Sequence, residues 1–297
     1  MSEDNMSNIS CCASCGIAEV DDVKLKECAT CDLVRYCSDA CLKEHKSQHK
    51  EDCKKRVAEL HDEILFKQPE STNRGILDPK QSTIKQCCSK VICNGCYCAN
   101  KIREVEASLK SSCPFCRRAI PETDEGFGNQ RMNRVEANDP VALRREGVLQ
   151  YHKGDYQSAF EYFTKAAELG NVDAHYQLAV MYDDGHGVEK DKGKEIYHLE
   201  EAAIGGHHDA RFNLGWEEGN NDNFERAVKH WIISANLGDD GSINILMEKF
   251  KEGFVSKDDL AAALRAHQAA VDATKSPHRE EAEEYYRIED NSNTEDC

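Results

Sequence analysis

Fifteen of the sixteen cysteines in this 297-residue chain stand between Cys11 and Cys116, and that crowding constrains the fold more than any other feature. The chain opens MSEDNMSNISCCASCGIAEV, without a basic start or an apolar run. Thiols gathered so densely behind such an opening point to metal thiolates in a reducing compartment rather than to disulfides. The expected location is cytoplasmic or nuclear, not secreted. Nowhere do eighteen apolar residues follow one another, so no membrane span is expected.

The first cluster runs Cys12-x2-Cys15, Cys28-x2-Cys31, Cys37-x3-Cys41 and His49-x3-Cys53, eight soft or imidazole ligands in forty-two residues. Eight ligands fill two tetrahedral zinc sites, because each C-x2-C pair can close a turn whose sulfurs face one ion. Ser38 is placed to cap a helix over residues 39–54, on which His49 and Cys53, four apart, share a face. So short a module buries too little apolar surface to fold alone, whereas structural zinc supplies on the order of 10 kcal/mol. His45 is a competing imidazole, and Cys11 reads as a spare thiol.

These residues, with the step Tyr36-Cys37-x3-Cys41, resemble a MYND-type zinc finger over residues 12–53. The resemblance implies interleaved ligation: Cys12, Cys15, Cys37 and Cys41 on one zinc, and Cys28, Cys31, His49 and Cys53 on the other. Lys46 stands where the family often carries an aromatic residue, which bears on the peptide groove typical of some members and not on the metal sites.

A second cluster holds Cys87, Cys88, Cys93-x2-Cys96, Cys98 and Cys113-Pro114-Phe115-Cys116-Arg117. Its ending resembles the last ligand pair of RING domains, with Arg117 where many ubiquitin ligases keep a positive residue. The opening C-x2-C of a RING is missing, since residues 54–86 contain no cysteine. Two groupings remain for residues 87–118. In a zinc ribbon, Cys93, Cys96, Cys113 and Cys116 hold one zinc; in a surviving half of a RING cross-brace, Cys87, Cys88, Cys113 and Cys116 do so and Cys93 and Cys96 are left over. The ribbon is favoured, because two C-x2-C knuckles close a tetrahedron with less strain than two adjacent cysteines.

From Asp139 the pattern changes to repetition: AAELGNVDAHYQLAVMY, AAIGGHHDARFNLGWEE and ANLGDDGSINILMEKF are variants of one unit. Ala142, Ala174 and Ala210 mark successive first helices, and Ala167, Ala203 and Ala235 mark the ends of second helices. The middle unit carries four extra residues in its turn YDDGHGVEKDKG. Ala174, Leu178 and Tyr182 form one helical face, and Ile196, Leu199 and Ala203 another. Gly147, Ala179 and Gly215 recur at one slot, where a small residue admits the partner helix. Residues 139–273 resemble Sel-one-like repeats, relatives of tetratricopeptide repeats. The expected fold is mainly α, an α-α helical-repeat solenoid with small N-terminal zinc-stapled modules. Residues 66–86 and 121–140, rich in polar and turn residues, read as linkers.

Charge divides the chain in the same way: −5 over residues 1–53, +5 over 54–135 and −17 over 136–297. A nucleic-acid backbone would be repelled by the repeats, so nucleic acid is not an expected partner. The expected function is a zinc-binding adapter or scaffold, with the finger and the repeats each engaging protein partners and two zinc ions in the finger plus one in the second cluster. No catalytic residue is assigned. The enzymatic alternative is an E3 ubiquitin ligase that uses the RING-like cluster and holds its substrate on the repeats. A lysine methyltransferase, which some MYND fingers accompany, lacks its motifs in residues 54–297.

Overall fold

The structure, a computed structural model, describes residues 26–27, 35–36, 54–67, 82–277, 279, 280 and 282. The chain divides into two units, Met1–Lys67 and Gln68–Cys297. In the first, β1 (Lys26–Glu27) pairs antiparallel with β2 (Arg35–Tyr36), Lys26 opposite Tyr36. Residues 54–65 are helical (α1), with Arg56 bonded to Glu63 at 2.7 Å one face along. Cys12, Cys15, Cys28, Cys31, Cys37, Cys41, His49 and Cys53 lie outside the described residues.

The second unit opens with a hairpin, β3 (Ser82–Ile84) against β4 (Val91–Cys93), in which Ser82 faces Cys93 and Ile84 faces Val91. It leads directly into α2 (Asn94–Glu106). Next comes α3 (Asp124–Glu136), capped by the Thr123 hydroxyl. Residues expected to be linkers therefore include β3 and α3. Their polarity hid them: α3 buries only Val135 and packs Met132 beside it, yet both join the core of the first repeat. Arg131 on α3 also reaches the buried Glu146 at 2.8 Å.

Four helix pairs follow: α4 (Pro140–His152) with α5 (Tyr156–Glu168), α6 (Val172–Asp184) with α7 (Lys192–Ile204), α8 (His208–Asn220) with α9 (Phe224–Asn236), and α10 (Asp240–Lys251) with α11 (Lys257–Thr274). Each first helix is capped by the same device. Asp139, Asn171, His207 and Asp239 accept the backbone N–H three residues on, at Ala142, Ala174, Ala210 and Ser242. Those four N–H donors would otherwise be unsatisfied, and the small residues that carry them are at most 3% exposed. Before three of the caps stands a glycine in the left-handed region, Gly170, Gly206 and Gly238, where a side chain would be strained.

The expected faces are inside: Ala174, Leu178, Tyr182, Leu199 and Ala203 are buried, with Ile196 half-buried beside them. The four extra residues of the second pair do more than lengthen a turn. His186 stacks on Tyr156 with ring centres 4.4 Å apart and bonds the Tyr151 hydroxyl at 2.8 Å, so the insertion is clamped onto the first pair.

The small-residue slot has a direct geometric cause. A Cβ at Gly147 would lie 2.6 Å from the Phe163 ring, and one at Gly215 would lie 2.3 Å from Nε1 of the buried Trp231. Gly215→Ala is accordingly expected to lower stability by about 1–3 kcal/mol through overpacking, although alanine is the better helix former. Gly193→Ala, at an exposed helical site with room for the methyl, is expected to leave stability unchanged or slightly raised. Chemical denaturation of the two variants checks the order; equal stability would show that Trp231 can give way.

Candidate functional site

The turn between β3 and β4 is tight. Lys85 N–H bonds the Lys90 carbonyl at 2.9 Å, Ser89 N–H returns to the Lys85 carbonyl at 2.8 Å, and Ser89 takes a positive φ of 56°. Cys87 and Cys88 are carried on this turn. Opposite them, Cys113 N–H bonds the Arg118 carbonyl at 2.8 Å and Arg117 N–H bonds the Cys113 carbonyl at 2.9 Å, which closes the second knuckle. Glu104 of α2, only 4% exposed, accepts the backbone N–H and the hydroxyl of Ser112 and so ties this knuckle to the helix.

The result is a group of four thiols, Cys87, Cys88, Cys113 and Cys116, whose sulfurs all lie within 4.8 Å of one another. Cys88 and Cys113 are 3.7 Å apart and Cys116 and Cys87 are 3.3 Å apart. Four sulfurs around zinc at about 2.3 Å form a tetrahedron of edge about 3.8 Å, so the donor set and its spacing fit that ion. These are the four thiols of the cross-brace grouping; Cys93 and Cys96, on which the ribbon depends, lie outside this group. Adjacent Cys87 and Cys88 can both face the second knuckle because they stand on the turn of the hairpin, a bend that spacing alone does not disclose.

The thiols differ in how readily they ionise. Burial, then bonds from Cys116 and Cys113, push the Cys87 thiol up; burial also raises Cys88. Burial opposes ionisation of Cys113 too, but N–H groups of Cys116 and Phe115 outweigh it and bring that thiol down to about 7. Lys85, buried beside the cluster with its ammonium 3.6 Å from the Tyr97 ring centre, supplies a nearby cation. Arg117 is exposed, at a φ of 60°.

Cys93 caps α2, and its sulfur accepts the Cys96 N–H at 3.4 Å. Cys98 is buried on the same helix.

A second feature lies among α5, α6 and α7, where a groove of about 370 Å³ is lined by Phe160, Thr164, Glu168, His175, Tyr182, Tyr197, His198 and Glu201, with Ala167 and Leu178. His175 and His198 meet through their Nδ1 atoms at 3.0 Å, so one imidazole donates and the other accepts. Tyr182 stacks on His198 and meets Phe160 edge-on. Glu168 and Glu201 are exposed at its rim. No sequence pattern signalled the histidine pair, which joins residues twenty-three apart on two helices.

Residues 12–53 match the MYND finger family, and residues 145–171, 172–207 and 208–239 match the Sel1 repeat family. The chain therefore carries a MYND finger, with the zinc binding that implies, followed by a mainly α solenoid of Sel1 repeats; both are typical protein-interaction modules. DAP3-binding cell death enhancer 1 of Mus musculus is 25% identical over 184 residues, 48% of this chain and 36% of that protein. The chain thus spans about a third of that relative. Among solved structures, a Sel1 repeat protein from Oxalobacter formigenes is 24% identical with a TM-score of 0.39, over 48% of this chain and 61% of that one. A protective antigen of uropathogenic Escherichia coli strains with an SLR fold is 27% identical with a TM-score of 0.41, over 50% and 33%. No described helix is long and apolar enough to cross a membrane.

The histidine pair makes stability depend on pH. Burial, then the neighbouring His175 and Lys194, pushes His198 down to about 4, and burial lowers His175. The unfolded chain therefore takes up these protons first as pH falls. Stability is full above about pH 6.5 and declines from there toward pH 4. His198→Gln is expected to flatten part of that decline in melting temperature, leaving the parts due to His175 and His207, both lowered by burial, and to the buried His230, which is pushed down to about 3. An unchanged slope would contradict the burial of His198.

Proposed function

We propose that this chain is a zinc-stapled protein-interaction adapter in the cytoplasm or nucleus, whose repeats take up a basic segment of a partner protein. The observation that carries the reading is the groove among α5, α6 and α7. Its aromatic walls and the carboxylates of Glu168 and Glu201 suit a cationic side chain, and Lys194 already sets its ammonium 5.2 Å from the Tyr182 ring centre. Neutral imidazoles at its floor add no opposing charge, and the −17 carried by residues 136–297 steers basic chains toward it and nucleic acid away.

Zinc supplies structure to this adapter and not chemistry. Two ions belong to the MYND finger, and a third is held by Cys87, Cys88, Cys113 and Cys116; four protein ligands leave no open position for a reactive water. The ligase alternative needs a second zinc-held loop, for which residues 54–86 offer no cysteine, so Arg117 and its knuckle present one loop of the two.

Native mass spectrometry is expected to count three zinc ions in the full chain and two in Cys113→Ser. A count of two in both would remove the third site.

Binding is checked by fluorescence anisotropy of a labelled hexa-arginine peptide. Glu201→Gln and Tyr197→Ala, the latter at a side chain 53% exposed, are each expected to weaken it about fivefold, the equivalent of about 1 kcal/mol. Equal binding of a hexa-glutamate peptide, or indifference to both substitutions, would overturn the groove as the docking site. Ubiquitin chains formed in a purified reaction and abolished by Cys116→Ala would favour the ligase.

A further inference from the structure

The C-x2-C pair left outside the four-thiol group has surroundings of its own. Cys93 stands at the N-terminus of the thirteen-residue helix α2, as its cap, with its sulfur on the Cys96 N–H. The unpaired N–H groups and aligned dipoles of a helix start favour a negative charge there. Arg279, from beyond α11, sets its guanidinium beside the Cys93 sulfur, and the Cys93 and Cys96 thiols are neighbours. Cys93 is half-buried and Cys96 exposed, so both are open to a small reagent.

These partners favour a thiolate and disfavour a metal ion. Two thiols are half of a structural zinc site. The position beside Cys93 is taken by a guanidinium, a cation that would repel a dication and attract a single negative sulfur. Cys98 follows Cys96 by two residues on α2, a spacing that puts it on the opposite side of the helix.

We propose that Cys93 and Cys96 form a redox-active dithiol that exchanges with low-molecular-weight disulfides and closes into a reversible disulfide at the N-terminus of α2. The Cys93 thiolate attacks one sulfur of the incoming disulfide; that S–S bond breaks, a Cys93 mixed disulfide forms, and the first small thiolate leaves and takes a proton from water. Cys96 then gives up its proton to solvent and attacks the Cys93 sulfur, expelling the second small thiolate, which is protonated in turn. Two electrons pass from the protein pair to the small disulfide, which ends as two thiols. Although burial raises the Cys93 thiol, the Cys96 N–H, the Arg279 guanidinium and the Cys96 thiol outweigh it and leave Cys93 below the ordinary thiol range, which assigns it the attacking role. This activity is independent of the adapter reading, since it uses neither the groove nor the four-thiol group.

The test treats the zinc-loaded full chain with glutathione disulfide, traps free thiols by alkylation, maps peptides by mass spectrometry and follows zinc release in the same sample. A Cys93–Cys96 bridge should appear while zinc stays bound. Cys96→Ser should retain glutathione on Cys93, and Cys93→Ser should retain far less on Cys96. Arg279→Gln should slow the first step about threefold for each pKa unit it returns to Cys93, since the gain in thiolate is partly offset by lower nucleophilicity. The bridge in the unaltered chain is decisive even where a variant folds poorly. Its absence in excess glutathione disulfide, its appearance only in step with zinc release, or the loss of one zinc in Cys93→Ser would overturn the proposal, the last by making the pair metal ligands.

Discussion

The solenoid depends on how closely two helices of a pair can approach. Phe163 and Trp231 lie flat against α4 and α8 because Gly147 and Gly215 have no Cβ to hold them off. Both rings are buried to within 1%, and each such side chain removes a large apolar area from water. A pair of thirteen-residue helices cannot hide its apolar stripe by itself, so the area covered at this contact and at the next pair's face supplies the stability of the row. The capped junctions then fix the turn from one pair to the next. A backbone N–H left unpaired at Ala142, Ala174, Ala210 or Ser242 would be buried without a partner, and the cap side chain prevents that at every junction.

The second cysteine module is joined to this row by specific contacts within the same unit. Arg145 of α4 donates to the Ile84 carbonyl of β3 at 3.2 Å. Asp139, the cap of α4, also lies beside Ser89 in the turn that carries Cys87 and Cys88. A residue that starts the first helix pair therefore also steadies the hairpin of the thiol group. Loss of order in that hairpin would reach the solenoid through Asp139, and the polar α3, stapled by Arg131 to Glu146, closes the end of the first pair that would otherwise be open.

What was legible in the sequence follows from what each pattern encodes. Recurring alanines and glycines encode local geometry, a buried cap position or a turn with positive φ, so the helix pairs and the four extra residues near Gly185 and Gly187 could be read directly. Ligand grouping is a long-range property. Spacing marks Cys93-x2-Cys96 and Cys113-x2-Cys116 as knuckles, but which thiols meet depends on a hairpin whose strands are three residues each. Strands so short carry no alternation to detect, so β3 reads as part of a linker. The meeting of His175 and His198 was invisible for a related cause: each is one polar residue on an otherwise ordinary helix, and only the packing of α6 on α7 makes them a pair.

The same distinction explains why the thiols divide into two kinds of chemistry. Cys87, Cys88, Cys113 and Cys116 face mostly one another, with the single ammonium of Lys85 nearby. Four sulfurs cannot all lose their protons at such distances without a cation among them, and a metal is the cation that their number and spacing accommodate. At Cys93 the compensating charge is built into the protein: a helix N-terminus, a backbone N–H and Arg279 are already in place. A thiolate there needs no metal, and one stabilised in this way and open to solvent is poised for exchange rather than for ligation. What the pair of Cys93 and Cys96 can do thus depends on what faces it, which is a cation and not a second pair of thiols.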